Sequence, residues 1–234
     1  MADIFIKNVN GEIWKNTNGA ILKAKKFNDN TANRAKISVY ASGNYQSIGG
    51  YASIWYDEFG TNNIIQTTIA NRFKIVVNRM ANIPTLEYLN AENVRNPLCK
   101  MKMTDSVTFR SLYLVMNHSA VPDPESLFLN YNTILRNSIS PTYLISGGIS
   151  ISRIVANNAD YTVGTAKPYG NYIIYIEFSS NKTINNTTDS ILSDFNGYGY
   201  SWSNIAHLEL FSDVHTTMEI NYNINALNAK YSIF

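Results

Sequence analysis

Tyrosine and lysine are the side chains of this sequence with the most chemistry to do, and that chemistry is proton loss in base. The chain holds 16 Tyr and 12 Lys against 17 Asp and Glu, with a net charge of +2 at pH 7. Phenol and ammonium both titrate near pH ~10 to 10.5, so a chain almost uncharged at neutrality becomes a self-repelling polyanion in strong base. A buried phenol donates a hydrogen bond only while protonated, and base leaves an anion in a site made for a neutral group. The groups placed for such an alkaline switch are Tyr40, Tyr45, Tyr51 and Tyr56, then Tyr169, Tyr172 and Tyr175, then Tyr198 and Tyr200. Lys23, Lys25, Lys26 and Lys167 are counter-charges lost in the same window.

Other chemistry is sparse in the sequence. His118, His207 and His215 lack metal-ligand spacing, and the pair eight residues apart on strand-like segments reads as structural. Gly147-Gly148 and Gly197-Tyr198-Gly199 lack the strand, loop and helix of a phosphate cradle. The lone cysteine, Cys99, excludes an internal disulfide and reads as a small buried hydrophobe. Asn-x-Ser/Thr sequons begin at Asn117, Asn181, Asn185 and Asn186, as chance supplies in a chain rich in Asn and Thr. Lys23, Lys25 and Lys26 form the only basic cluster, which falls short of the stripe that nucleic-acid phosphates require, so no sequence-specific nucleic-acid partner is expected. Tyr198, Tyr200 and Trp202 read as loop or interface packing, with stacking on sugars or bases as the other use. No catalytic residues, metal or catalytic cofactor are expected.

Strand signals dominate the elements that would position these groups. Lys36–Tyr40 and Tyr51–Tyr56, separated by Gly43, Gly49 and Gly50, read as a hairpin. Residues 106–116, 172–178, 206–211 and 218–224 read as further strands, several alternating apolar and polar. Asp123-Pro124-Glu125-Ser126 supplies a cap, a first-turn proline and an acid ahead of Leu127, Phe128, Tyr131, Ile134 and Leu135, which predicts the best helix. Residues 65–80 fit a helical face, although Phe73–Val77 fits a strand equally, and both readings stand. Residues 179–190 read as a polar loop. The pattern predicts a mainly β chain, an antiparallel β-sandwich with a few flanking helices.

Length and composition predict one domain over residues 1–234, with residues 1–27 as an N-terminal assembly arm and 28–234 as the sandwich core. The arm carries Trp14, Ile21, Leu22 and Phe27 beside its Lys-rich strip and is expected to bind neighbouring subunits. Only 15% of residues are charged, so the surface is largely neutral and amide-rich, suited to dense packing. The first residues lack the apolar core of a signal peptide and no run reaches the ~20 residues of a membrane span, so a cytosolic, membrane-free protein is expected.

Three collinear segments, Met116–Leu127, Asp160–Lys167 and Ala206–Leu210 with Glu219-Ile220-Asn221, resemble in their order segments of cypovirus polyhedrins. Met116–Leu127, with Ala120-Val121-Pro122-Asp123, is similar to their Ala-Val-x-Val-Pro-Asp-Glu-x-Leu neighbourhood. Asp160–Lys167 resembles their Tyr-x-Val-Gly-Ser-Ala segment, and Ala206–Leu210 followed by Glu219-Ile220-Asn221 resembles their Ala-x-Leu-Glu-Leu strand and later Asp-Ile-Asn. Order, approximate spacing, chain length and the Met-Ala-Asp start agree. The N-terminus departs from the pattern: Ile4-Phe5-Ile6 is strand-like, and Gly11 and Gly19 disfavour one long helix. The resemblance implies a β-sandwich, homotrimers, and a crystal lattice in the cytoplasm of an infected insect cell that embeds virus particles as occlusion bodies. It further implies bound nucleotides as lattice ligands and dissolution in an alkaline gut. The alternative reading is a phage tail-appendage or carbohydrate-binding β-sandwich protein, from the fibre-like rhythm of Ile4–Lys15.

Overall fold

The computed structural model describes residues 35–40, 45–58, 62–80, 83–87, 99–118, 126–129, 135–138, 147–148, 150–165, 168, 170–189, 191 and 203–234. The expected arm residues Trp14, Ile21, Leu22, Lys23, Lys25, Lys26 and Phe27 lie outside the described residues, as do Lys167, Tyr169, Tyr198 and Tyr200.

The chain is mainly antiparallel β. Its strands are β1 (Ala35–Tyr40), β2 (Tyr45–Ile48), β3 (Tyr51–Trp55), β4 (Ile64–Ile65), β5 (Lys74–Met80), β6 (Ile83–Glu87), β7 (Lys102–Met103), β8 (Val107–His118), β9 (Ser126–Leu129), β10 (Leu135–Ser138), β11 (Gly147–Gly148), β12 (Ile151–Ala156), β13 (Ala159–Asp160), β14 (Gly170–Ile184) and β15 (Ser203–Phe211). A single described α-helix, α1 (Thr217–Tyr231), closes the chain.

One sheet runs β13-β12-β14-β8-β15-β6-β5-β3-β4-β7, with β1 added to β15 and β2 to β3, while β9, β10 and β11 form a separate sheet. The long sheet bends back on itself. Met101, just before β7, and Ile191, just after β14, exchange backbone hydrogen bonds of 3.2 and 2.8 Å. Asn186 Nδ2 also donates to the Thr104 carbonyl at 2.8 Å. The last strand of the order thus meets the chain leaving its third.

Leu112–Met116 of β8 and Tyr172–Ile176 of β14 are apolar without interruption because both of their faces are covered. Residues 111–116 of β8 and 172–176 of β14 are all buried, and such runs belong to strands sandwiched between layers rather than to strands with one wet face. One face carries Leu112, Leu114, Ile174, Ile176, Leu208 and Leu210 into a core shared with Trp55, Ile64, Phe73 and Met101. The other carries Tyr113, Val115, Ile173, Tyr175, Ala206 and Phe211 against Ile220, Ile224, Leu227 and Tyr231 of α1.

Four sequence expectations are corrected. Residues 218–224 are helical: their period-two alternation hides the stronger recurrence of Ile220, Ile224, Leu227 and Tyr231 at helical spacing. Thr216 caps this helix through a reciprocal box, its side chain accepting from Glu219 N–H at 3.3 Å while Glu219 Oε2 accepts from Thr216 N–H at 2.8 Å. Of the expected helix after Asp123, Ser126–Leu129 is instead β9 and Leu135 opens β10, whose ladder partners override the local cap signal, while Asp123–Glu125, Tyr131 and Ile134 lie outside the described residues. Lys36–Tyr40 does not pair with Tyr51–Trp55; β1 joins β15, and the hairpin is β2 with β3 across Gly49-Gly50. Both glycines have positive φ, +61° and +84°, as a two-residue hairpin turn demands. The supposed polar loop after Ser179 is strand as far as Ile184, where β14 resumes pairing with β8 beyond a bulge between Glu177 and Lys182. Within 65–80 the strand reading holds for Lys74–Met80, preceded by a single 3-10 turn at Ile69–Asn71.

Replacing Thr216 by Ala removes one half of the box and is expected to cost about 1 kcal/mol. Urea unfolding should show a lower midpoint with an unchanged slope.

Candidate functional site, a tyrosine and histidine seam under the C-terminal helix

Tyrosine hydroxyls fasten α1 to the sheet. Tyr113 of β8 and Tyr175 of β14 stand opposite each other in register, with ring centroids 5.0 Å apart. The Tyr113 hydroxyl accepts from Asn223 Nδ2 of α1 at 2.8 Å and lies 2.9 Å from His215 Nδ1. The Tyr175 hydroxyl accepts the His215 backbone N–H at 3.0 Å. His215 stacks on Tyr175 at 5.8 Å and meets the Phe211 ring edge-on at 4.6 Å.

This environment favours neutral groups. Burial pushes the Tyr113 phenol far above its ordinary value, with Tyr175, Glu209 and Glu219 adding to the rise and the Asn223 bond opposing it. Tyr175 is pushed up to about 12, chiefly by burial, although the His215 N–H and Ser111 bonds stabilise its anion. Burial lowers His215 below an ordinary imidazole despite the carboxylates of Glu219, Glu209, Asp213 and Glu177. An acceptor imidazole at Nδ1 leaves the Tyr113 proton as the donor of their bond, so the seam needs both groups uncharged.

A second fastening lies at the other end of α1. His207 Nδ1 is 2.8 Å from the Tyr231 hydroxyl, and His207 Nε2 is 3.0 Å from Glu209 Oε1. A bulge in β15 between Ile205 and His207 breaks the ladder next to this histidine. Burial alone would raise Glu209; the charge and hydrogen bond of His207, with Lys230 and Ser38, outweigh it and hold the carboxyl below its ordinary range. The single Ser38 hydroxyl proton is shared between two carboxylates, Glu58 at 3.1 Å and Glu209 at 3.4 Å from Oγ. The serine therefore touches the carboxylate end of this chain, not the imidazole, and the hydroxyl that meets His207 is the buried Tyr231. That order holds a helix in place and offers no activated serine.

The sequence-predicted tyrosines fall in several environments. Tyr175 belongs to the seam. Tyr172 is buried on the opposite face, its hydroxyl donating to the Pro168 carbonyl at 2.7 Å, and burial with Tyr161 raises its pKa. Tyr45 and Tyr51 are half-buried on the β2–β3 hairpin, Tyr56 is exposed, and of Tyr40 only the β1 backbone is described. Sequence reasoning missed Tyr113 and Tyr231, whereas their partners His215 and His207 were read as structural and are buried against these hydroxyls. Tyr113 sits inside the apolar run Leu112–Met116, where a phenol looks like one more core ring. Its signal was the second titratable ring in a facing apolar strand, Tyr175.

Cys99 is buried, donates to the Arg72 carbonyl at 3.0 Å, and is pushed up to about 12 by burial, which leaves an inert thiol. Among the described residues no three His, Cys, Asp or Glu side chains gather as a metal site, and no helix is long and apolar enough to cross a membrane. The chain matches no family model, no curated protein and no solved structure.

Proposed function

We propose that the protein is a structural, non-enzymatic matrix protein that self-assembles into intracellular crystals, the occlusion-body role implied by its resemblance to cypovirus polyhedrins. The observation that carries this reading is the seam: phenols with raised pKa, neutral in every ordinary environment, tie a surface helix to the sheet. A matrix that must persist in soil and open in an alkaline gut needs its trigger above physiological pH. Tyr113 and Tyr175 supply one, since their ionisation loosens α1 and with it any lattice contact that α1 makes. The near-zero net charge supports dense packing of like copies around virus particles in the cytoplasm of the infected cell. Nucleotides as lattice ligands belong to the same proposal and rest on the resemblance alone.

Expression of the chain by itself in insect cells tests this. Electron micrographs should show faceted intracellular crystals that stay insoluble through neutrality and dissolve steeply above pH ~10, where phenols begin to ionise. A freely soluble monomer, or crystals that dissolve between pH ~5 and 8 where carboxylates and imidazoles titrate, would overturn it.

A further inference from the structure

The long sheet shuts on itself through one isolated bridge and a set of side-chain bonds. Met101 and Ile191 form that bridge, and among the described strands β7 pairs with β4 alone. Beside it Lys102 Nζ donates to the Thr187 carbonyl at 3.1 Å. Asn186 supplies the rest: its N–H donates to Ser106 Oγ at 3.1 Å, its Oδ1 accepts from Ser106 Oγ at 3.0 Å, and its Nδ2 holds the Thr104 carbonyl.

The two sides of this closure are held differently. Thr104 and Asp105 are tied into the sheet, since Asn62 Oδ1 accepts the Thr104 hydroxyl at 3.1 Å and the Asp105 N–H at 2.9 Å, and Thr104 N–H donates to the Asn63 carbonyl at 2.9 Å. The turn Asn185–Asp189 is instead bonded to itself. Asp189 N–H donates to the Asn185 carbonyl at 2.8 Å, Asp189 Oδ2 accepts the Asn185 N–H at 2.7 Å, and Asn185 Oδ1 accepts the N–H and the hydroxyl of Thr187 at 2.9 and 2.7 Å. A turn that carries its own hydrogen bonds keeps its shape when it leaves its neighbours. Behind it Met101, Met103, Ile184 and Ile191 are buried in the core shared by the two ends of the sheet. We propose that Asn185–Asp189 with Ile191 is a strap, which lets go of Met101, Lys102 and Thr104 together and opens this core while β8, β14 and α1 stay in place. Its hinge is the end of β14, where Ile184 still pairs with Val107. An edge held by few and exposed bonds opens on its own, at less than the free energy of global unfolding. The strap rests on the sheet alone and stands whether or not the chain crystallises.

Amide hydrogen exchange of the whole chain, read by mass spectrometry in solution or in suspended crystals, tests it. Peptides around Met101 and around Ile191 should exchange together, at least about tenfold faster than peptides from the middle of β8 and β14. N186A removes the side-chain bonds to Thr104 and Ser106 and should speed exchange in both strap peptides by about a further tenfold, with the β8 and β14 peptides unchanged. T108A serves as the control: Thr108 Oγ1 lies 2.9 Å from Thr183 Oγ1 on the β8–β14 ladder, and its loss should leave the strap peptides as they are. Strap peptides as slow as the middle of β8, two strap peptides that exchange at unrelated rates, no response to N186A, or an equal response to T108A would each overturn the strap.

Discussion

Above pH ~10 the folded protein loses stability by about 1.4 kcal/mol per pH unit for each of Tyr113 and Tyr175. The unfolded phenols titrate near ~10, whereas both folded phenols titrate higher. Between those values the unfolded chain has released protons that the folded chain retains, so stability falls as pH rises. The contribution is whole below the unfolded pKa and is exhausted for Tyr175 once the pH passes about 12. Tyr113→Phe separates ionisation from packing. At pH 7 it costs about 1–3 kcal/mol, because Asn223 and His215 lose a buried partner, yet it removes Tyr113's share of the alkaline slope, the rest belonging to Tyr175, Tyr172 and Cys99, whose pKa values burial also raises. Urea midpoints taken at intervals from neutrality into strong base, for wild type and variant, decide the matter. Parallel curves, or a wild-type midpoint that does not move above pH ~10, would exclude the seam as the trigger.

Ile224→Asp should leave no folded protein, while Met218→Asp changes stability by no more than about 0.5 kcal/mol. Ile224 is fully buried between α1 and the sheet among Tyr113, Val115 and Tyr175. A carboxylate there meets no compensating charge on that apolar face and must desolvate or expel the helix. Even Ile224→Ala, which adds no charge, is expected to cost about 2–5 kcal/mol through lost burial and a residual cavity. Met218 is exposed in the first turn of α1, where an added acid complements the helix dipole. Circular dichroism and urea unfolding of the variants report the contrast. Equal damage from both aspartates would mean that α1 does not dock through the Ile220–Ile224–Leu227 stripe.

The strands that form the middle of the sheet were legible because their residues leave no other choice. Val107–Met116 and Tyr172–Phe178 are rich in β-branched and aromatic residues, Ala206–Phe211 alternates His207 and Glu209 with Leu208 and Leu210, and each lies in a long observed strand. Legibility failed where two periods compete. Met218–Ile224 satisfies both alternation and helical recurrence, and the Thr216 and Glu219 box that decides for helix lies just ahead of it. Around Ser126–Leu129 the cap residues argued for a helix, but the backbone found partners in β10, a contact no local rule sees. The seam was half legible for the same reason. Tyrosine abundance pointed to buried phenols, whereas the choice of Tyr113 over Tyr56 depends on which strand lies under α1. That is fixed by pairings between residues more than a hundred positions apart, such as Tyr113 with Asn223.

The position of β15 sets a timetable for the chain's birth. This strand is the last in sequence, yet it lies inside the sheet, between β8 on one side and β6 with β1 on the other. Ribosomes add about 5–20 residues per second, so β1, β6 and β8 wait unpaired along these edges until residues 203–211 have left the exit tunnel. Folding domain by domain during translation is closed to this topology. The nascent protein remains an incomplete sheet with open edges, whose longest-range contacts form last and slowly, and a chain released before β15 is made has no smaller native state to fall back on.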